Sequence, residues 1–181
     1  MSLARSNVVK EKRIGTLVVI LFAGFLRPSE LLELERSDVI LSKTSVELRL
    51  KKSKKNQRGS PEPVFIARTL KDWCPVELLG EWMKGCPHSR FLFPALSGKD
   101  RAWSYNAALE ELKKATSRFG IKRNITLHSF RGSAATVAVE KGVSGEELDR
   151  ACRWKSSNSK KSYVQNSERT TKNAAALLSH L

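Results

Sequence analysis

Residues 14–26 run without a charge. That is long enough for a buried helix and short of the roughly 20 residues a membrane span requires. Lys10, Lys12 and Arg13 ahead of the run imitate a signal peptide, but the bulky, charged Gly24-Phe25-Leu26-Arg27 that follows offers no small-x-small cleavage site. The run breaks at Arg27-Pro28, because a residue before proline is biased out of the α region and proline suits the first turn of a new helix. That second helix, over 28–35, turns Leu31, Leu32 and Leu34 inward. The period then changes. Val39-Ile40-Leu41 reads as a short strand, Val46, Leu48 and Leu50 alternate with polar residues as a second, and Val64-Phe65-Ile66 returns as a third. Helices follow over 75–84, over 104–119 (Ala108, Leu109, Leu112 and Ala115 at helical spacing) and over 129–141, closed by Gly142. Ser144 and Glu147 form a capping box for the next helix; two more are expected over 160–164 and from Ser167. The expected fold is mainly α with a small three-stranded antiparallel β-sheet, an α+β class. It divides into a polar N-terminal segment (1–13) that frays, a domain over 14–166 and a C-terminal helix (167–181).

Composition narrows the classes. With 181 residues, 40% hydrophobic, and a mean hydropathy of −0.36, the chain fits one soluble globular domain and neither a disordered tail, a fibrous repeat nor a membrane protein. Thirty-three Lys and Arg against 18 Asp and Glu leave a net charge of +15, which calls for a polyanionic partner, most simply nucleic acid. Cys74, Cys86 and Cys152 are odd in number and lack C-x-x-C spacing, so neither a disulfide framework nor a zinc site is expected, and the compartment reads as reducing.

Charge is also placed unusually. A helix N-terminus already carries partial positive charge, yet Arg27 stands at one helix start, and His128 and Arg131 flank Ser129 at another. Two such starts can converge on one phosphate. The plainer readings are an Arg27–Glu30 ion pair and a capping or core histidine. Between Arg49 and Arg58 lie six basic residues and no acid. This is either a solvated turn or nuclear-import signal, or a hairpin tip that grips nucleic acid. Only Tyr105 and Tyr163 exist as tyrosine nucleophiles. Tyr163 lies among cations that stabilise a phenolate; the plain alternative is a half-buried aromatic, and Trp154 alone reads as core.

Taken in order, these pieces resemble the catalytic domain of the tyrosine recombinases, the phage integrase family. Gly24 to Leu31, with Arg27-x-x-Glu30 inside it and Asp38-Val39 downstream, resembles the family's first arginine box. His128-Ser129-Phe130-Arg131 matches its H-x-x-R box. Trp154 falls where the family has His or Trp, and Tyr163 follows nine residues later. The resemblance implies that Arg27, Arg131 and Trp154 hold a scissile phosphate and stabilise its developing charge. It implies that Tyr163 attacks phosphorus to give a 3′-phosphotyrosyl bond, that His128 accepts or positions the phenol proton, and that Lys54 protonates the leaving 5′-oxygen, with Lys52 and Lys55 as rivals. Glu30 would orient the cluster, while Lys51, Lys52, Lys55, Arg58, Lys155, Lys160 and Lys161 would contact DNA. No cofactor and no metal are implied. The partner would be double-stranded DNA, bound by a homo-oligomer of two to four copies, with no membrane and no small-molecule substrate, inside the cell (cytoplasm, nucleoid or nucleus). The last helix, with Ala174-Ala175-Ala176-Leu177-Leu178, would pack on a neighbouring subunit or on its own domain. Trp154 stands where many members use His, and the segment before Tyr163 is rich in Ser and Lys. The family's N-terminal core-binding domain has no counterpart, so the chain reads as an isolated catalytic domain. Rival readings are a recombinase-derived domain that binds DNA without cutting, a type IB topoisomerase-like enzyme, and a basic helical module that binds RNA or DNA.

Overall fold

A computed structural model describes residues 3–51, 63–98, 100–122 and 124–154. The expectations for Lys52, Lys54, Lys55, Arg58, Lys155, Lys160, Lys161 and Tyr163, and for the helices after residue 154, lie outside these residues.

The uncharged run forms the axis of the fold, helix α1 (Val9–Ala23), with Ile14, Leu17, Ile20 and Leu21 buried. It starts five residues ahead of the expected Ile14. Lys10 to Arg13 contains no helix breaker, and Arg13 is 2% exposed. Its guanidinium lies 3.7 Å from the Trp103 ring centroid, donates from Nη1 to the Pro94 carbonyl (2.7 Å) and pairs through Nη2 with Glu111. Ahead of α1, a single 3-10 turn (Leu3–Arg5) packs on Gly15; a Cβ there would stand 2.3 Å from the Ala4 nitrogen. Residues 3–13, expected to fray, thus contribute a turn, a helical start and a buried cation.

The break at Arg27-Pro28 is as expected, with α2 spanning Pro28–Leu32. It stops three residues short of Glu35, although Leu31, Leu32 and Leu34 are all buried. Strands β1 (Val39–Leu41), β2 (Ser45–Leu48) and β3 (Val64–Ala67) form an antiparallel sheet in that order. Val46 stands opposite Ile66 and Leu48 opposite Val64. This register puts all four on the core face and sends Glu47 and Phe65 outward, as a two-residue period requires.

Helix α3 (Pro75–Gly85) buries Val76, Leu79 and Trp82, whose indole donates to the Leu92 carbonyl (2.8 Å) and stacks on Phe93. Helix α4 (Tyr105–Arg118) is capped by Ser104, whose hydroxyl accepts from the Ala107 N–H. Helix α5 (Leu127–Glu140) begins two residues before the expected Ser129. Its first turn is closed from Thr126, whose N–H donates to the Ser129 hydroxyl (3.0 Å), and anchored by the buried Leu127. The Ser144–Glu147 box starts α6 (Gly145–Cys152) as expected.

Two apolar clusters result. The larger joins α1, α2, the sheet, α3 and α4. The smaller joins Ala135, Ala138, Leu148 and Cys152 of α5 and α6, with Phe25 and Trp154 against it. The three cysteines are free, and among the described residues no helix is long and apolar enough to cross a membrane.

Two substitutions check this packing. Gly15→Ala should destabilise by about 1–3 kcal/mol, because overpacking against backbone outweighs the helix-propensity gain of roughly 1 kcal/mol; urea unfolding that shows a gain would place the 3-10 turn elsewhere. Arg13→Met strands Glu111 and the Pro94 carbonyl and should cost about 3 kcal/mol in the same measurement.

Candidate active site

The site grows from the turn between α1 and α2. After α1, the Phe25 N–H donates to the Phe22 carbonyl and the Leu26 N–H to the Leu21 carbonyl. Phe25 itself adopts a left-handed conformation (φ +48°). Gly24 keeps this corner close: a Cβ would lie 3.0 Å from Leu26 Cγ and 3.1 Å from Ile66 Cδ1, so both side chains would have to give way. The chain straightens at Arg27 (φ −75°, ψ 144°), as its proline neighbour demands, and caps α2. Glu30 folds back: its Oε2 accepts the Arg27 N–H and its Oε1 accepts Arg27 Nη1, both at 2.7 Å.

Two further arginines converge on Glu30. Arg131, on the first turns of α5, places Nη1 3.9 Å from Glu30 Oε2. Arg153, just past α6, donates from Nη2 to the same oxygen at 3.0 Å. Arg131 also donates from Nη1 to the Phe25 carbonyl (2.6 Å) and from Nη2 to the Cys152 carbonyl. One carboxylate among three guanidiniums leaves the cluster with two excess positive charges.

The electrostatics follow from this crowding. Burial opposes the charged form of Glu30, but Arg153 and the Arg27 N–H and guanidinium outweigh it and hold its carboxyl below the usual range. Burial, with the charges of Arg27 and Arg153, pulls Arg131 down to about 10, which leaves it protonated at neutral pH. Partial desolvation lowers His128 as well, although the residue stays exposed overall, and Arg131 and Arg27 add to the effect. His128 is therefore neutral at pH 7 and able to accept a proton. Burial pushes the Cys152 thiol up to about 11, so it is not a nucleophile.

Both cationic helix starts therefore converge, and the plainer Arg27–Glu30 ion pair is part of the same cluster. Arg27 keeps an outward face, its side chain 46% exposed. Arg131 differs from the expectation: it is 1% exposed, each of its terminal nitrogens already donates to a backbone carbonyl, and it presents charge from the buried side. His128 is exposed, with its ring 5.9 Å from that of Tyr105. Trp154 packs half-buried against the α5–α6 cluster. Lys51 donates to Glu35 (2.6 Å) and lies 4.0 Å from Asp38 Oδ2, at the base of the hairpin and within an ion pair of its own. Arg153 is the site residue that the sequence reading missed. No motif marks it, because its role comes from a left-handed turn (φ +52°) that ordinarily signals glycine. Among the described residues no three of His, Cys, Asp and Glu gather as a metal-holding group.

A family model described as the phage integrase family matches residues 3–170. No curated protein matches the sequence. Among solved structures the fold is similar to XerA recombinase (TM-score 0.73, 18% identity, 97% of this chain and 60% of that one). It is equally similar to XerH site-specific recombinase bound to palindromic difH substrate in a post-cleavage complex (0.73, 19%, 98% and 49%). A lambda integrase fragment, as a dimer bound to a COC' core site, follows at 0.63 (16%, 90% and 54%). The chain thus spans about half to three-fifths of the length of these relatives. At such identities the likeness establishes the fold, and the family match over nearly the whole chain establishes membership: the chain belongs to the phage integrase family, the tyrosine recombinases.

Proposed function

We propose that this chain is the catalytic part of a site-specific DNA recombinase, which cleaves and rejoins strands through a 3′-phosphotyrosyl intermediate on Tyr163. The observation that carries this reading is the convergence of Arg27, Glu30 and Arg131 from two helix starts, with a neutral His128 on the same turn of α5. XerH and the lambda integrase fragment are recorded with DNA, the second as a dimer, which supports double-stranded DNA and further copies of this chain as partners. The setting is then inside the cell, with the DNA.

In this mechanism the Tyr163 phenol gives its proton to His128 and its oxygen attacks phosphorus. The bond to the 5′-oxygen breaks, Lys54 protonates that leaving oxygen, and a free 5′-hydroxyl departs. Reversal with another strand's 5′-hydroxyl rejoins the backbone, so the phosphodiester energy is conserved. Arg27 donates directly to a non-bridging oxygen, while Arg131 supplies charge from the buried side. Trp154 closes the site by packing, and its indole N–H is a donor that cannot shuttle protons. The remaining hairpin and C-terminal cations (Lys52, Lys55, Arg58, Lys155, Lys160, Lys161) grip the flanking backbone.

A nicked suicide duplex, which loses its leaving strand, tests the assignment. The wild-type chain should form a denaturation-resistant protein–DNA adduct, Tyr163→Phe should form none, and Tyr105→Phe should retain it. An adduct that survives Tyr163→Phe refutes the nucleophile. The pH dependence of single-turnover adduct formation tests the base. Because burial and the neighbouring arginines hold His128 below the ordinary 6.5, the acid limb should fall below that pH; a limb at or above it removes His128 from the role.

A further inference from the structure

Arg153 has left-handed backbone (φ +52°, ψ 43°), where any side chain other than glycine's is strained. Strained residues persist where their surroundings over-determine them, and here the surroundings are remote in sequence. Arg153 Nη2 donates to the Phe25 carbonyl (3.1 Å) and to Glu30 Oε2 (3.0 Å), and Nη1 reaches the Gly24 carbonyl (3.4 Å). Phe25 is the other non-glycine residue with positive φ among the described residues, and Arg131 shares its carbonyl. One guanidinium therefore locks together two costly turns 128 residues apart. Closing the end of α6 needs none of this; the bond from Nη1 to the Ala151 carbonyl (3.1 Å) is local and sufficient for that.

We propose that Arg153 is a positioning residue: its guanidinium bridges the Glu30 carboxylate and the Phe25 carbonyl, and so holds the Arg27 helix start in register with Arg131 and the Trp154 turn. The inference rests on the strand-cleaving reading above, and Arg153 itself touches no reacting atom. The charged groups facing Glu30 are Arg27 from α2, Arg131 from α5 and Arg153. Without Arg153, Oε2 keeps the Arg27 N–H and an Arg131 contact at 3.9 Å, and loses the closest of the guanidiniums that face it.

Arg153→Gly keeps the turn, since glycine is at ease there, and deletes the bridge. Arg153→Lys keeps the charge without spanning both partners, and Arg153→Gln keeps the bulk without the charge. Three quantities are read: adduct formation at saturating nicked duplex, affinity for that duplex, and the titration of the 13C-labelled Glu30 carboxyl by NMR without DNA. In Arg153→Gly the saturated rate should fall about tenfold or more, while affinity changes only by the few-fold expected for one lost cation. The Glu30 carboxyl should titrate at higher pH than in the wild type, with Arg153→Lys restoring the titration and part of the rate. Arg153→Gln should show the same upward titration and decides the matter should the glycine variant not fold. Wild-type titration of Glu30 in the neutral variants, or a wild-type saturated rate in an active preparation, overturns the bridge. A wild type that forms no adduct refutes the strand-cleaving reading instead, and the titration without DNA still decides whether Arg153 holds Glu30.

Discussion

Glu30 is the charge on which the site depends. Arg27, Arg131 and Arg153 meet at its two oxygens, between 2.7 and 3.9 Å away. Two like charges about 4 Å apart repel by roughly 4 kcal/mol at the effective dielectric near a protein surface. Three guanidiniums would not assemble without a carboxylate between them, and so the Arg27-x-x-Glu30 spacing matters as a pair. The main-chain N–H of Arg27 also ends on Glu30, so the residue that neutralises the arginines caps the helix that presents one of them.

The two buried arginines show how charge balance separates scaffold from site. Arg13 has a carboxylate in direct contact, a carbonyl and an aromatic face, and its charge is met locally. Arg131 is equally buried but has two carbonyls and a carboxylate only at 3.9 Å, shared with two rivals. Arg13 joins α1 to α4 within the large cluster. Arg131 stands at the seam between the two clusters, where Phe25 packs against the smaller one and Leu26 belongs to the larger. A turn that must satisfy both sides has little freedom, which explains a left-handed phenylalanine there.

Much of this was legible in the chain. The strands follow from alternation at Val46, Leu48, Val64 and Ile66, and the α1–α2 break follows from Arg27-Pro28. The Arg27/Glu30 and His128/Arg131 spacings marked the two helix starts that meet. The two misplaced helix starts, of α1 and α5, share a cause: tertiary packing overrode local polarity. Arg13 is polar in sequence and buried in fact, and Leu127, next to a polar cap, is the anchor that starts α5. Arg153 was illegible for a different reason, since a left-handed arginine carries no local signal and its partners lie more than 120 residues away. The proposed nucleophile and general acid rest on the family resemblance, because Tyr163 and Lys54 lie beyond the described residues.

The residual charge has a consequence for catalysis. In the reaction proposed above a phosphodiester would enter with one negative charge, and attack by the phenolate would raise it to two at the five-coordinate transition state. Three guanidiniums less one carboxylate leave two positive charges, and His128, neutral at the start, would add a third on taking the phenol proton. In the proposed reaction this net positive charge would attract the doubly charged transition state more strongly than the singly charged substrate, which is the condition for electrostatic catalysis rather than mere tight binding. Glu30 sets that balance. A second carboxylate in contact would cancel much of that charge, whereas without Glu30 the three guanidiniums would repel one another and the Arg27 N–H would lose its acceptor.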